Sequence, residues 1–162
     1  MVGDSLVQYV EWHELLGRGD VLNRGIGGET TADLLDRIGE INSLKPRQIF
    51  LLIGTNDVDM QGVTADGVIA RYRQIVEGLS RAGAKVVCLS IPMMRYREKN
   101  SLISEINQRI KLLEREGSVT YIELNERLAV NGFLSGEYTY DGVHLTGRGY
   151  RKIIDLIEMN LM

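Results

Sequence analysis

Cysteine, proline and histidine are scarce in this chain, and it has neither a long apolar run nor a strong net charge. Of 162 residues, one is cysteine, two are proline, two are histidine and one is tryptophan. Cys88 stands alone, so an internal disulfide is excluded and the fold cannot be a cross-linked scaffold. A chain of this size buries about 70% of the surface its unfolded form exposes, enough for one core without disulfides or a structural metal. No stretch reaches the roughly 18 to 20 apolar residues that a bilayer span needs. The formal net charge is -3, which gives no basic field for phosphate backbones or anionic lipid and so argues against nucleic acid as a partner. The N-terminus lacks the basic-then-apolar layout of a signal peptide. A cytoplasmic location is the expectation, with a removed export signal left open.

What is present is the balance of an ordinary globular domain, 44% hydrophobic and 25% charged. No repeat, low-complexity tract or linker divides it, so one domain over residues 1–162 is expected. Apolar runs bounded by turn residues alternate with longer segments of helical period, the pattern of strands joined by crossover helices. The expected class is α/β with a parallel sheet. Strands are expected at Asp20–Asn23, Gln48–Ile53, Lys85–Ile91 and Val119–Glu123, the middle two apolar enough to be covered on both faces. A further strand ahead of Gly3 has only Met1 and Val2 to supply it, and is expected to be truncated or very short. Helices are expected at Gln8–Leu16, Thr31–Ile41 behind a Thr30 cap, Thr64–Ala82 stopped by Gly83, Ser101–Glu116 stopped by Gly117, and Arg148–Met162.

Four short blocks carry chemistry. Gly3-Asp4-Ser5-Leu6 places Ser5 at a strand-to-helix turn on the carboxyl edge of the sheet, where ligands of open α/β sheets bind. Alone, the tripeptide is more readily a helix cap. Asn23-Arg24-Gly25-Ile26-Gly27-Gly28-Glu29-Thr30-Thr31 is a glycine-rich loop on the same edge. Its register departs from the dinucleotide fingerprint at Thr30, and the next strand runs into Gly54 rather than an acidic ribose ligand. Gly54-Thr55-Asn56-Asp57 leaves the strongest apolar strand; it serves as a turn or aims the Asn56 amide at an oxyanion. Asp141-Gly142-Val143-His144-Leu145-Thr146 precedes the last helix and puts a carboxylate three residues before His144, able to fix its tautomer. Each block has a bland reading. Together, in order and on one sheet edge, they supply a nucleophile, a base, an orienting acid and oxyanion donors, the parts of an acyl-transfer site.

These four blocks resemble those of the SGNH hydrolases, the GDSL-type esterases and lipases, and the resemblance spans essentially the whole chain. GDSLVQ, LNRGIGGETT, GTND and HLTGRGY are most similar to the branch containing the catalytic subunits of platelet-activating-factor acetylhydrolase and related bacterial esterases. The resemblance implies a flavodoxin-like three-layer α/β/α sandwich of about five parallel strands. It makes Ser5 the nucleophile, His144 the base and Asp141 its orienting acid. The oxyanion hole would consist of the Ser5 and Gly28 backbone N–H groups and the Asn56 side chain. No cofactor or metal is called for. The resemblance leaves a homodimer open.

The expected substrate is a small-molecule ester, with a short acyl group such as acetyl on an alcohol or carbohydrate, since no long apolar lid segment is visible. Walls of the acyl pocket are sought in Val58–Val63, Pro92–Asn100 and Asn131–Tyr140. Within them Arg95, Arg97 and Lys99 are either a lure for an anionic substrate or a solvated charge run. Met93 and Met94 either line an acyl site or fill gaps. Tyr138 and Tyr140 either stack on a sugar or pack at the rim. Trp12 and His13 are assigned to packing or surface, and Cys88 to a buried strand without a base. Two other functions are weighed: a non-catalytic ligand-binding module on the same fold, and a flavin or nucleotide binder.

Overall fold

Two interleaved sets of apolar residues decide the layering. The computed structural model describes residues 1–162, the side chain at position 97 excepted. Strands β1 (Val2–Gly3), β2 (Arg24–Gly25), β3 (Gln48–Leu52), β4 (Lys85–Leu89) and β5 (Thr120–Ile122) form one sheet in the order β2-β1-β3-β4-β5. All its pairings are parallel. Successive side chains on a strand point to opposite faces. Ile49, Leu51, Val86 and Cys88 therefore join a core on one face, while Phe50, Leu52, Val87 and Leu89 join a core on the other. Both faces are covered, which is why these strands read as unbroken apolar runs. The expected three-layer α/β/α fold is the one observed.

Helices α1 (Ser5–Gln8), α2 (Trp12–Leu15), α3 (Thr31–Asp36), α4 (Ile38–Ser43), α5 (Ala65–Arg81), α6 (Arg97–Arg115), α7 (Asn125–Leu128) and α8 (Gly147–Glu158) make the outer layers, and a small hairpin pairs β6 (Ala129–Val130) with β7 (Phe133–Leu134). Residues of α3 to α6 fill the first core; residues of α1, α2, α7 and α8 fill the second. Among the described residues, no helix is long and apolar enough to cross a membrane.

The helix expected from Ser101 begins at Arg97, the last helix ends at Glu158 rather than Met162, and three other expected elements differ for a local reason. The first helix, expected over Gln8–Leu16, is two short ones that begin at Ser5. The carbonyl of Val7, which would accept the next helical N–H, is taken by Trp12 Nε1 at 2.8 Å and Asn23 Nδ2 at 2.9 Å. Asn23 also reaches the Gln8 and Val10 carbonyls at 3.0 and 2.9 Å, so one amide closes the whole turn. The second strand lies at Arg24–Gly25 rather than Asp20–Asn23, because its ladder partner β1 offers only Val2 and Gly3. The helix expected over Thr31–Ile41 opens at Thr30 with a full capping box to Asp33, but breaks at Arg37, whose φ of -112° leaves the helical range.

The sheet order reverses direction at β1, between β2 on one side and β3 on the other. Such a switch point opens a crevice at the carboxyl ends of the strands. The chain leaves β1 at Asp4-Ser5, β2 at Ile26–Glu29 and β3 at Ile53–Asn56, so three of the four blocks converge there by topology.

Candidate active site

Ser5 is the first residue of α1, with Asp4 as its N-cap accepting from the Leu6 N–H at 2.9 Å. The turn depends on glycine at position 3, where an added Cβ would meet the Leu52 carbonyl oxygen at 1.9 Å. Ser5 is 7% exposed, with its hydroxyl directed to the last loop. Its Oγ lies 2.9 Å from His144 Nε2, and His144 Nδ1 lies 2.6 Å from Asp141 Oδ2. The structure thus brings together three residues separated by as many as 139 positions.

The Asp141–His144 loop is gripped on several sides. Asp141 Oδ1 accepts the N–H groups of Val143 and His144 at 2.9 and 2.7 Å. Tyr96 Oη donates to the Asp141 carbonyl at 2.8 Å, and the Arg95 N–H donates to the Gly142 carbonyl at 2.9 Å. Partial burial disfavours the Asp141 anion, but the hydrogen bonds from the His144 ring and the two backbone N–H groups outweigh it and hold the carboxyl below its ordinary range. An ionised carboxylate only accepts. Nδ1 of His144 therefore carries a proton toward Asp141, which leaves Nε2 free to accept from Ser5.

The glycine-rich loop rests against this pair. Gly27 donates its N–H to Gln8 Oε1 at 2.6 Å, and a Cβ at Gly27 would lie 3.8 Å from Ser5 Cβ. Gly28 has φ +80°, a left-handed conformation that glycine adopts without strain. The N–H groups of Ser5 and Gly28 have no acceptor among the described residues. Asn56 Nδ2 donates to the Glu29 carbonyl at 2.8 Å, which consumes one amide hydrogen and leaves the other free. Those are the three donors expected at an oxyanion.

Asp4 shows that this turn is costly to build. Its carboxyl is fully buried, and neither its Oδ2 nor the neighbouring Thr55 Oγ1 completes a hydrogen bond. Burial pushes the carboxyl up to about 6, against the pull of the Leu6 N–H, the Thr55 groups and nearby His144. The folded chain thus retains a proton that the unfolded chain releases near pH 4, so stability falls as pH rises from about 4 through 6. Holding that charge in the buried turn costs on the order of 3 kcal/mol at pH 7. Asp4→Asn keeps a good N-cap and removes the buried charge. Urea unfolding is expected to find it more stable than wild type at pH 7, by roughly 1 to 3 kcal/mol, with a flatter profile between pH 4 and 6. A less stable variant at pH 7 would show that burial of the charge is not the controlling cost.

Residues 1–152 match the model of the GDSL-like lipase/acylhydrolase family. The chain belongs to that family. Rat platelet-activating factor acetylhydrolase IB subunit alpha2 is 32% identical over 163 residues, which cover 94% of this chain and 70% of the rat protein. The alpha1 subunit from Pongo abelii is likewise 32% identical, over 99% of this chain and 74% of its own length. Among solved structures, a GDSL-like lipase from Bacteroides thetaiotaomicron superposes with a TM-score of 0.86 at 23% identity, covering 98% of this chain and 84% of the other. Its likeness speaks for the fold. The chain is a carboxylic ester hydrolase.

Several residues that hold this acylhydrolase's site together carry no motif signal. Glu29, buried within the glycine-rich block, pairs through both carboxylate oxygens with Arg37, the residue at which the third helix breaks. Arg37 also donates to the Arg24 carbonyl at 2.8 Å, closing the loop onto β2. Asp57 accepts the Thr31 N–H at 2.8 Å and hydroxyl at 2.5 Å, and Arg71 at 3.1 Å. Glu29 and Asp57 could have been suspected only as acidic residues inside blocks of small and polar ones.

Other candidates resolve into structure. Met94 is buried in the core and Met93 packs against it, so the gap-filling reading holds for Met94 rather than the acyl-lining one. The Arg95 guanidinium lies against Gly136, and Lys99 donates to the Val58 carbonyl at 2.9 Å beside Asp59. Arg97 lies outside the described side chains. Tyr138 packs on the second core with Lys152 over its ring, while Tyr140 is exposed and stacked on His144. His13 is on the surface beside Glu11 and Glu14; Trp12 is buried edge-on against Tyr150.

Proposed function

We propose that the chain hydrolyses esters of short acyl groups, acetyl above all, on alcohols or carbohydrates, through an acyl-enzyme on Ser5. The observation that carries this reading is the unbroken relay Ser5 Oγ, His144 Nε2, His144 Nδ1, Asp141 Oδ2, at 2.9 and 2.6 Å, beside three free donors. His144 takes the proton as Ser5 Oγ bonds to the acyl carbon, and the carbonyl oxygen gathers charge against the Ser5 and Gly28 N–H groups and the Asn56 amide. The bond to the alcohol then breaks as His144 returns the proton to the leaving oxygen. Water, deprotonated by His144, attacks the acyl-enzyme; the carboxylic acid departs and Ser5 recovers its proton. Asp141 holds the imidazole in the needed tautomer and balances its charge.

A short acyl group suits the surroundings. A cavity of about 270 Å³ lies at the opposite, amino-terminal edge of the sheet, lined by Met1, Leu22, Leu44, Ile49 and Phe50 among others, out of reach of an acyl chain on Ser5. Space beside Gly28 is open, with nothing within 4 Å of where a Cβ would stand. The acetylhydrolase names of the relatives point the same way.

The reading is tested by mixing the chain with excess p-nitrophenyl acetate, stopping the reaction early in acid and mapping acetylation by peptide mass spectrometry. A burst of p-nitrophenol with acetyl on the Ser5 peptide is the expected result. Acetyl on another residue would move the nucleophile. No burst, no turnover and no label would leave a ligand-binding module on the same fold as the better reading.

A further inference from the structure

The leaving alcohol must be protonated by His144 Nε2, so it departs on the side of the imidazole. Two rings flank that imidazole. Tyr140 lies nearly parallel to it, at 13° with centroids 5.8 Å apart, and Tyr9 is tilted at 46° with centroids 5.7 Å apart. Each tyrosine is 66% exposed although each touches the imidazole, whereas Tyr72 and Tyr150 are buried. The Tyr9 hydroxyl reaches toward the glycine-rich loop, 3.5 Å from where a Cβ at Gly27 would stand. The two rings therefore rim the site on the path the alcohol must take.

Resting on the acyl-transfer reading, we propose that Tyr9 and Tyr140 form the leaving-group subsite of this acylhydrolase, and that its alcohol is a saccharide whose ring lies on their faces. A pyranose presents an apolar C–H face and a rim of hydroxyls. A tyrosine matches both, with a flat apolar body, a polar tip and little rotamer freedom to lose. Neither the Tyr9 nor the Tyr140 hydroxyl has a partner within the chain among the described residues, so both are free to meet sugar hydroxyls.

Charge argues against an anionic alcohol. The charge beside Tyr140 is the Asp141 carboxylate. Of the basic side chains described nearby, Lys99 is held by the Val58 carbonyl and Asp59, Lys152 lies over Tyr138 and Arg148 faces Glu137, while the Arg95 guanidinium lies beside Gly136. A phosphorylated alcohol would thus meet a like charge. A linear alkyl alcohol would want a trench, and these faces are open.

The test compares an acetylated methyl xylopyranoside, ethyl acetate and phenyl acetate as substrates of wild type, Tyr9→Ala, Tyr140→Ala and Tyr140→Phe. Each alanine variant is expected to lower the ratio of kcat/KM for the sugar ester to that for ethyl acetate by about two- to tenfold, the size of one aromatic contact. The loss should appear mainly in KM, with Tyr140→Phe between wild type and alanine. An unchanged ratio in both alanine variants overturns the subsite. An equal loss for phenyl acetate, with no deficit in Tyr140→Phe, overturns the saccharide in favour of an aromatic alcohol. Ser5→Ala titrated with the same sugar ester and followed by NMR gives a readout independent of turnover. Shifts of the Tyr9 and Tyr140 ring signals are expected there, and their absence overturns the proposal. Failure of wild type on every ester would instead overturn the acyl-transfer reading, and the titration would still decide the subsite.

Discussion

Ser5→Ala is expected to lower kcat for p-nitrophenyl acetate by on the order of a million-fold, leaving at most the residual acceleration of about 10³ to 10⁴ over water that donors and binding supply without a nucleophile. The size follows from geometry. Ser5 Oγ sits 2.9 Å from an imidazole whose other nitrogen is already committed to Asp141, so alanine removes the one side chain the base is aligned to activate. Alanine fills no new space and keeps the helix start, whose cap is made by Asp4 and not by Ser5. The fold should survive, and urea unfolding within about 0.5 kcal/mol of wild type is the control, the usual range for a change that disturbs no packing or network. Retention of more than a hundredth of wild-type turnover in a folded Ser5→Ala protein would refute Ser5 as the nucleophile.

Asp57→Ala should destabilise the chain by about 3 to 5 kcal/mol, the range for removing one member of a buried, hydrogen-bonded ion pair. Asp57 is fully buried and serves as a hub: Thr31 supplies an N–H and a hydroxyl, Arg71 a guanidinium, and Arg71 Nε reaches Thr31 Oγ1 at 2.6 Å. Removing the carboxylate strands the Thr31 donors and leaves Arg71 facing a void. Asp57→Asn retains the shape and an acceptor, and so should lose less. Chemical denaturation of the two variants beside wild type checks the order. A loss under 1 kcal/mol for alanine would mean that Arg71 relaxes into water and the hub is dispensable. Since Asp57 follows Asn56 and Thr31 ends the glycine-rich block, a stable but slow Asp57→Asn would mark the hub as a support of the oxyanion donors.

Much of the architecture was legible because it rests on short-range pattern. The apolar run at Gln48–Ile53 contains β3, Thr64 caps α5 and accepts the Gly67 N–H, and Gly83 and Gly117 follow α5 and α6. The four blocks were legible for a related reason: each is a polar interruption where a buried strand ends or a helix starts. What escaped were side chains acting across long sequence separations. Nothing near Asn23 announces that its amide closes the turn after α1, and nothing near Arg37 announces that it reaches back to Glu29 and the Arg24 carbonyl. Tyr9 was hidden for the opposite reason. It lies where a continuous helix was expected, and only the break after Gln8 leaves it 66% exposed beside His144.

Tyr150 Oη, on α8, donates to the Leu6 carbonyl of α1 at 2.8 Å. That bond ties the helix behind His144 to the helix that carries Ser5, so the two halves of the relay are joined by a contact between residues 144 positions apart. In chain order the nucleophile at position 5 is made well before its base at position 144, and the two act only once they are brought together. Hydrolytic activity in this chain is consequently a readout of the docking of α8: a chain cut ahead of His144 keeps its serine but has no base to activate it.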